Sequence, residues 1–192
     1  MTTPIRVLGI AGSLRKGSFN RGLVRAADEM LPEGMSLDVY ELGALPLYNG
    51  DVEAAGLPDS VQDFQRRIEA ADALLFATPE YNYSMAGVLK NAIDWGSRPS
   101  PARQVQPFDG KPVAIMGASA GTMGTARAQY HLRQTFIFLN MYPLNQPEVM
   151  IANAAQRFDA GGNLTDDKVR DLIRQLLHNL AVWTRQLQAA RV

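Results

Sequence analysis

The stretch GSLRKGSFN, from Gly12 to Asn20, gathers two hydroxyls, a carboxamide and two cations between an apolar run and a helix-like pattern. Such a loop offers hydrogen-bond donors to an anion. It matches neither G-x-x-x-x-G-K-[ST] nor G-x-G-x-x-G, which removes support for a nucleoside triphosphate and for a dinucleotide pyrophosphate. A phosphate monoester asks for less: backbone N–H groups at a helix N-terminus, hydroxyl donors and one guanidinium. Ser13, Ser18 and Asn20 supply donors, and Arg15 can cap the phosphate. Arg15 and Lys16 are loop neighbours whose side chains diverge, so only one of them can point inward. The plainer alternative is a solvated helix start with Asn20 as its N-cap.

A second stretch, TPEYNYSMAGVLKNAIDW, places Glu80, Tyr81, Asn82 and Tyr83 between a strand-stopping Pro79 and Ser84, which can cap the helix that follows. A loop of this kind presents backbone N–H and C=O groups to the edge of a flat heterocycle, while a tyrosine ring covers its face. Glu80 is expected to turn its backbone, not its charge, toward such a ring. Tyr81 reads as a ring-positioning group, against the alternative that both tyrosines are packed loop aromatics. Lys90 and Asp94 read as a surface helix pair, and Trp95 as a residue packed under the loop or at a subunit contact. A third stretch, GASAGTMGTAR, is rich in small residues that allow close backbone approach to a planar ligand, with Ser119 as a donor to the ring. A plain strand-to-helix connection would look similar. Taken together, one end suits a phosphate monoester and the other a hydrogen-bonding ring. FMN has that shape.

These loops need a scaffold that brings them together. Ile5–Ala11 is a short apolar run suited to a buried strand, and Gly22–Leu31 has helical spacing through Leu23, Ala26, Ala27 and Met30. Leu37–Leu42 reads as a second strand, 43–57 as a loop, and Val61–Ala71 as an amphipathic helix. Ala73–Thr78 is a third strand, Met85–Trp95 a helix, Pro99–Pro112 a proline-bearing loop, and Val113–Gly117 a fourth strand. Thr125–Met141 is helical, Leu144–Met150 is a weaker fifth strand, and Thr165–Ala190 is a closing helix with Leu172, Leu176, Leu180 and Trp183 on one face. Strands that are apolar throughout, alternating with helices, imply a parallel sheet covered on both faces. The expectation is an α/β, flavodoxin-like domain spanning residues 1–192, with five parallel strands in the order 2-1-3-4-5 and helices on both faces. Ligands then bind beyond the carboxyl ends of the strands, where the three loops lie.

The 192-residue chain carries 19 Lys+Arg against 19 Asp+Glu and no Cys. Balanced charge gives no whole-protein reason to bind nucleic acid. Without cysteine there is no thiolate nucleophile or thiolate metal site, and His131 and His178 are not paired at metal spacing, so no metal is expected. MTTPIRVLGIAG lacks the pattern of a signal peptide, and no apolar run reaches the ~18 residues of a membrane span. A cytoplasmic protein without membrane insertion is the expectation.

The motifs GSLRKGSFN, TPEYNYS followed by LKNAIDW, and AGTMGTARAQYHLRQ resemble those of the NADPH-dependent FMN reductase family, nearest in look to its bacterial quinone and chromate reductases. The resemblance covers nearly the whole chain. It implies a flavodoxin-like fold, bound FMN, NADPH or NADH as donor, and two-electron reduction of quinones or similar small-molecule acceptors. Chromate, azo and nitro compounds could take electrons at the same exposed ring. It also implies a homodimer or homotetramer. Carried over by position, Gly12, Ser13, Leu14, Arg15, Lys16, Gly17, Ser18 and Phe19 form the phosphate loop and Asn20 opens the helix. Pro79, Glu80, Tyr81 and Asn82 form the ring-edge loop, and Ser119 is a flavin contact.

Hydride transfer to a flavin needs no protein acid or base, so no catalytic side chain is nominated. Donor and acceptor using one ring face in turn implies ping-pong kinetics. Two rivals are a flavodoxin-type electron carrier, disfavoured by the zero net charge, and a non-catalytic FMN-binding regulator. On the helix after the third loop, Arg127, Tyr130, His131 and Gln134 share a polar face, while Leu132, Phe136 and Leu139 should meet the sheet. That polar face is either solvated or a subunit contact across which Glu148 could pair with Arg127.

Overall fold

In the computed structural model, which describes residues 4–99 and 105–190, the apolar run Ile5–Ala11 forms β1. Only Arg6 of this strand reaches solvent, because both faces of the strand are covered. The chain continues through α1 (Phe19–Glu29), β2 (Met35–Tyr40), α2 (Gly50–Ala55), α3 (Asp59–Ala70) and β3 (Ala73–Ala77). A hairpin of β4 (Glu80–Tyr81) and β5 (Ser84–Met85) precedes α4 (Gly87–Gly96), followed by β6 (Pro112–Ala118) and α5 (Ala126–Phe138). The last elements are β7 (Tyr142–Pro143), β8 (Val149–Ile151) and α6 (Asp167–Ala190).

The main sheet is parallel and runs β2-β1-β3-β6, with β7 and β8 both on the outer edge of β6. This is the flavodoxin-like order. The expected fifth strand is split: Tyr142 pairs with Pro112 and Val149 with Met116, while Leu144 to Glu148 leave the strand. Pro147 has no N–H to give to a ladder, which accounts for the gap. The region 43–57 is likewise not a plain loop, since it holds a 3₁₀ turn at Leu42–Ala44 as well as α2. The proline-bearing loop expected from Pro99 runs partly through residues 100–104, which lie outside the described residues.

Strand alternation divides the core in two. Ile5, Val7, Leu75, Ala114 and Met116 face α1 and α6, meeting Leu23, Ala27, Ile173, Leu176 and Leu180. Leu8, Ile10, Phe76, Val113 and Ile115 face α3, α4 and α5, meeting Phe64, Ile68, Leu89, Ile93, Leu132 and Phe136. Helices pinned on both faces fix where each strand ends, and the loops after β1, β3 and β6 emerge side by side. No helix among the described residues is long and apolar enough to cross a membrane.

Candidate functional site

α1 begins three residues before its apolar periodicity does. Ser18 is its N-cap, in extended conformation, with its hydroxyl accepting from the Arg21 N–H at 3.4 Å. The alternative of Asn20 as N-cap is therefore not the one adopted. Among the described residues nothing accepts from the N–H groups of Phe19 and Asn20, the orphan donors of a helix start. Arg15 arches over the loop and donates to the Gly17 carbonyl at 2.7 Å, with its guanidinium 5.6 Å from the Phe19 ring centroid. Phe19 in turn packs against Phe158.

Asn20 is buried, and its carboxamide serves the third loop. It donates to the Ala118 carbonyl at 2.9 Å and accepts from the Ala118 N–H at 2.9 Å. Asn20 therefore fixes the spacing between the first and third loops. Gly117, one residue earlier, has no room for a side chain, since a Cβ there would meet the Thr78 carbonyl and the Thr125 hydroxyl. Ser119 continues from β6, donating its N–H to the Ile151 carbonyl at 3.0 Å and accepting at its hydroxyl from Gly121 at 3.2 Å.

The second loop is a two-residue hairpin. Asn82 (φ 49°) and Tyr83 (φ 66°) both occupy the left-handed region, as a tight turn matched to strand twist requires. For a bulky tyrosine this conformation is costly and needs support. The support comes from α5. The Arg127 guanidinium lies 3.7 Å from the centroid of the Tyr83 ring. The same guanidinium is ion-paired with Glu80, whose side chain is only 5% exposed. The Glu80 carboxylate also accepts from the backbone N–H groups of Arg127 at 3.0 Å and Ala128 at 3.2 Å. Thr125, the N-cap residue of α5, makes no side-chain cap bond, so Glu80 caps this helix from the hairpin. Its charge is engaged by α5.

Ser84 does not cap α4. Ala86 stands at that N-cap, and the Ser84 hydroxyl lies 2.9 Å from His131 Nδ1. Arg127, Tyr130 and His131 of the polar face of α5 are thus engaged within the chain. Within the chain the Glu148 carboxylate accepts from the Tyr130 hydroxyl at 3.1 Å, a bond that pushes the Tyr130 phenol above the usual tyrosine range. Lys90 and Asp94 form the surface pair expected of them. Trp95 is fully buried, with its indole N–H on the Pro46 carbonyl, under the loop after β2.

A cavity of about 280 Å³ opens between the three loops. Its wall is formed by Ser13, Arg15, Ser18, Phe19 and Asn20 on one side, by Pro79, Glu80 and Tyr81 on another, and by Ala118, Ser119 and Ala120. Leu14, Lys16, Gly17 and Asn82 stand outside that wall. Gly12 is buried beneath, where a Cβ would come within 3.1 Å of Pro79 and Leu89. Ala118 and Ala120 belong to the small-residue stretch after β6, whose lack of bulk lets the wall come close. A larger hollow of about 420 Å³ lies at the other end of the sheet, beside Arg6, Arg66 and Arg67. Its arginines are already paired with Asp72, Asp63 and Asp38, so no donors converge there. Of these two cavities, the loop cavity is the one with unspent donors.

The profile described as NADPH-dependent FMN reductase matches residues 5–156. The NAD(P)H-dependent FMN reductase of Pseudomonas aeruginosa is 60% identical over 188 residues, covering 98% of this chain and 100% of its own. A 2-hydroxy-1,4-benzoquinone reductase from a Burkholderia species is 41% identical over 181 residues, covering 94% of this chain and 97% of its own. Among solved structures, the flavoenzyme NAD(P)H:(acceptor) oxidoreductase FerB of Paracoccus denitrificans superposes with a TM-score of 0.84 at 34% identity, covering 95% of this chain and 98% of that one.

Proposed function

The chain belongs to the NADPH-dependent FMN reductase family, and from that premise we propose that the cavity between its three loops holds FMN. Membership makes the protein an oxidoreductase with FMN and NAD(P)H as its cofactors. One observation carries the placement. The free donors at the start of α1 and the hairpin after β3 open into the same cavity.

Ser13, Ser18, Arg15 and the N–H groups of Phe19 and Asn20 take the phosphate, with Gly12, Leu14, Lys16 and Gly17 shaping the loop around it. Arg15 reaches the phosphate by exchanging its bond to the Gly17 carbonyl for a charge-assisted one. Pro79, Glu80 and Tyr81 meet the ring edge with backbone groups, Asn82 holds the turn, and Ser119 contacts the flavin from the third loop. When bound, FMN supplies the redox chemistry, receiving two electrons from NAD(P)H and giving them to an acceptor. The hairpin orients the ring, and its fixed N–H dipoles favour negative charge there. Tyr81, 53% exposed at the mouth, positions the ring rather than moving a proton.

Tyr81, exposed at the mouth, supports an open ring face shared in turn by nicotinamide and acceptor, hence ping-pong turnover. Quinones are the acceptor class favoured by the relatives named as quinone reductases, with chromate, azo and nitro compounds as further acceptors of the same open face. The whole reaction is carried by a single domain acting in the cytoplasm, without nucleic acid or membrane insertion. Copies associate as a homodimer or homotetramer. An outward stripe on α5 supports this, with Tyr130, Ile137 and Phe138 exposed by 52%, 81% and 88%.

The test is the visible spectrum and released flavin of the purified protein, followed by anaerobic NADPH and NADH titration and steady-state kinetics with a free quinone. One FMN per chain, bleaching by a nicotinamide and parallel reciprocal plots are expected. FAD, or no flavin after reconstitution, overturns the assignment. Flavin without turnover would leave an electron carrier or an FMN-binding regulator.

A further inference from the structure

Glu80 is unusual among the wall residues of the cavity. It is a carboxylate beside the place where the ring gains electrons, and it is nearly buried. A buried negative charge there opposes reduction of any ring bound in the cavity, because the reduced ring is the more electron-rich form. The fold answers that charge from one direction only. The Arg127 guanidinium is paired with it, Nε donating at 2.6 Å, and the first N–H groups of α5 complete its hydrogen bonds. Arg127 is itself held against the Tyr83 ring, so the compensating charge has a defined place. The pair spans β4 and α5, joining residues 47 apart in sequence, and its Glu80 side chain is nearly buried.

We infer that Arg127 is a positioning residue that sets the reduction potential of the flavin by neutralising Glu80. The inference rests on the reading that FMN lies in this cavity. Arg127 acts through Glu80 and Tyr83 and does not touch the flavin. The ion pair lets the hairpin offer backbone dipoles to the ring edge while its one carboxylate is electrically silent.

The two ends of the pair make opposite predictions. In Arg127→Gln the Glu80 charge is left uncompensated, and affinity for reduced FMN falls about tenfold relative to oxidised FMN. For a two-electron couple this lowers the midpoint potential by about 30 mV. In Glu80→Gln the excess positive charge raises the potential. The double variant Glu80→Gln/Arg127→Gln carries neither charge and returns toward the wild-type potential, and Arg127→Lys retains it. Potentials are read by spectroelectrochemistry of the FMN-loaded proteins. A role confined to holding the hairpin would move both single variants in the same direction and leave the double variant no better. That result, or single variants with the wild-type potential, overturns the inference. If Arg127→Gln does not fold, the rise in Glu80→Gln together with an unchanged Arg127→Lys remains the expected pair, and a fall in Glu80→Gln overturns it. A wild-type protein that binds no FMN would instead overturn the placement of the cofactor.

Discussion

Asn20 and Ala118 hold each other through two hydrogen bonds of 2.9 Å, one in each direction, across 98 residues of sequence. A side-chain amide here completes a strand end as a neighbouring backbone would. It ties the first turn of α1 to the last residue of β6. The first and third loops that line the cavity therefore share one rigid support.

Replacing Asn20 removes both partners of a buried backbone N–H and C=O. Leaving one such group unpaired costs about 1–3 kcal/mol. Asn20→Leu should lower the urea midpoint and weaken FMN binding together, since the loops lose their common spacing. Unchanged FMN affinity in a folded Asn20→Leu protein would separate the bond from the site.

Arg15 donates to the Gly17 carbonyl, and on the proposed placement of FMN it exchanges that bond for charge-assisted ones to the phosphate. Arg15→Ala should cost roughly 1.5–3 kcal/mol of FMN binding, about one to two decades in Kd. Lys16→Ala should cost much less, because Lys16 stands outside the cavity wall. Fluorescence titration of the apoproteins measures both, and equal curves for Arg15→Ala and wild type would return Arg15 to the surface.

The outward stripe on α5 gives a prediction about assembly. Tyr130, Ile137 and Phe138 follow the helical repeat at i, i+7 and i+8, and Phe138 is 88% exposed. Large apolar side chains presented together mark contact surfaces. Ile137→Glu with Phe138→Glu should shift the protein to a smaller species in light scattering while FMN stays bound. The same mass as wild type would leave the stripe solvated.

Acid stability should depend on the segment before α6. The Asp166 carboxyl is held below the usual range first by the Val169 N–H and next by Arg157. Asp159 is held low by the backbone and side chain of Asn163. Carboxyls with depressed folded values contribute fully above the unfolded value, near 3.9, and lose that contribution as pH falls through their lower folded values. Wild type should therefore lose more urea resistance between about pH 5 and pH 2 than Asp166→Asn does. Parallel pH profiles for the two would remove Asp166 from the acid transition.

The sheet could be read from the sequence because fully covered parallel strands must be apolar at almost every position, as β1, β3 and β6 are. The three loops could be read for the same reason: their small, polar and aromatic residues interrupt those runs at the strand ends. Local pattern records burial and direction, and it placed Ser13, Arg15, Ser18, Tyr81 and Ser119 at one edge. It carries no record of which polar groups meet. Glu80 finds Arg127, and Glu148 finds Tyr130. Asn20 leaves the cap to Ser18 and reaches β6. Each choice was made by the packing of α1 and α5 against the sheet, which brings distant residues within hydrogen-bond range. A buried polar group must then take the partner that geometry supplies, because going without costs more than almost any alternative pairing.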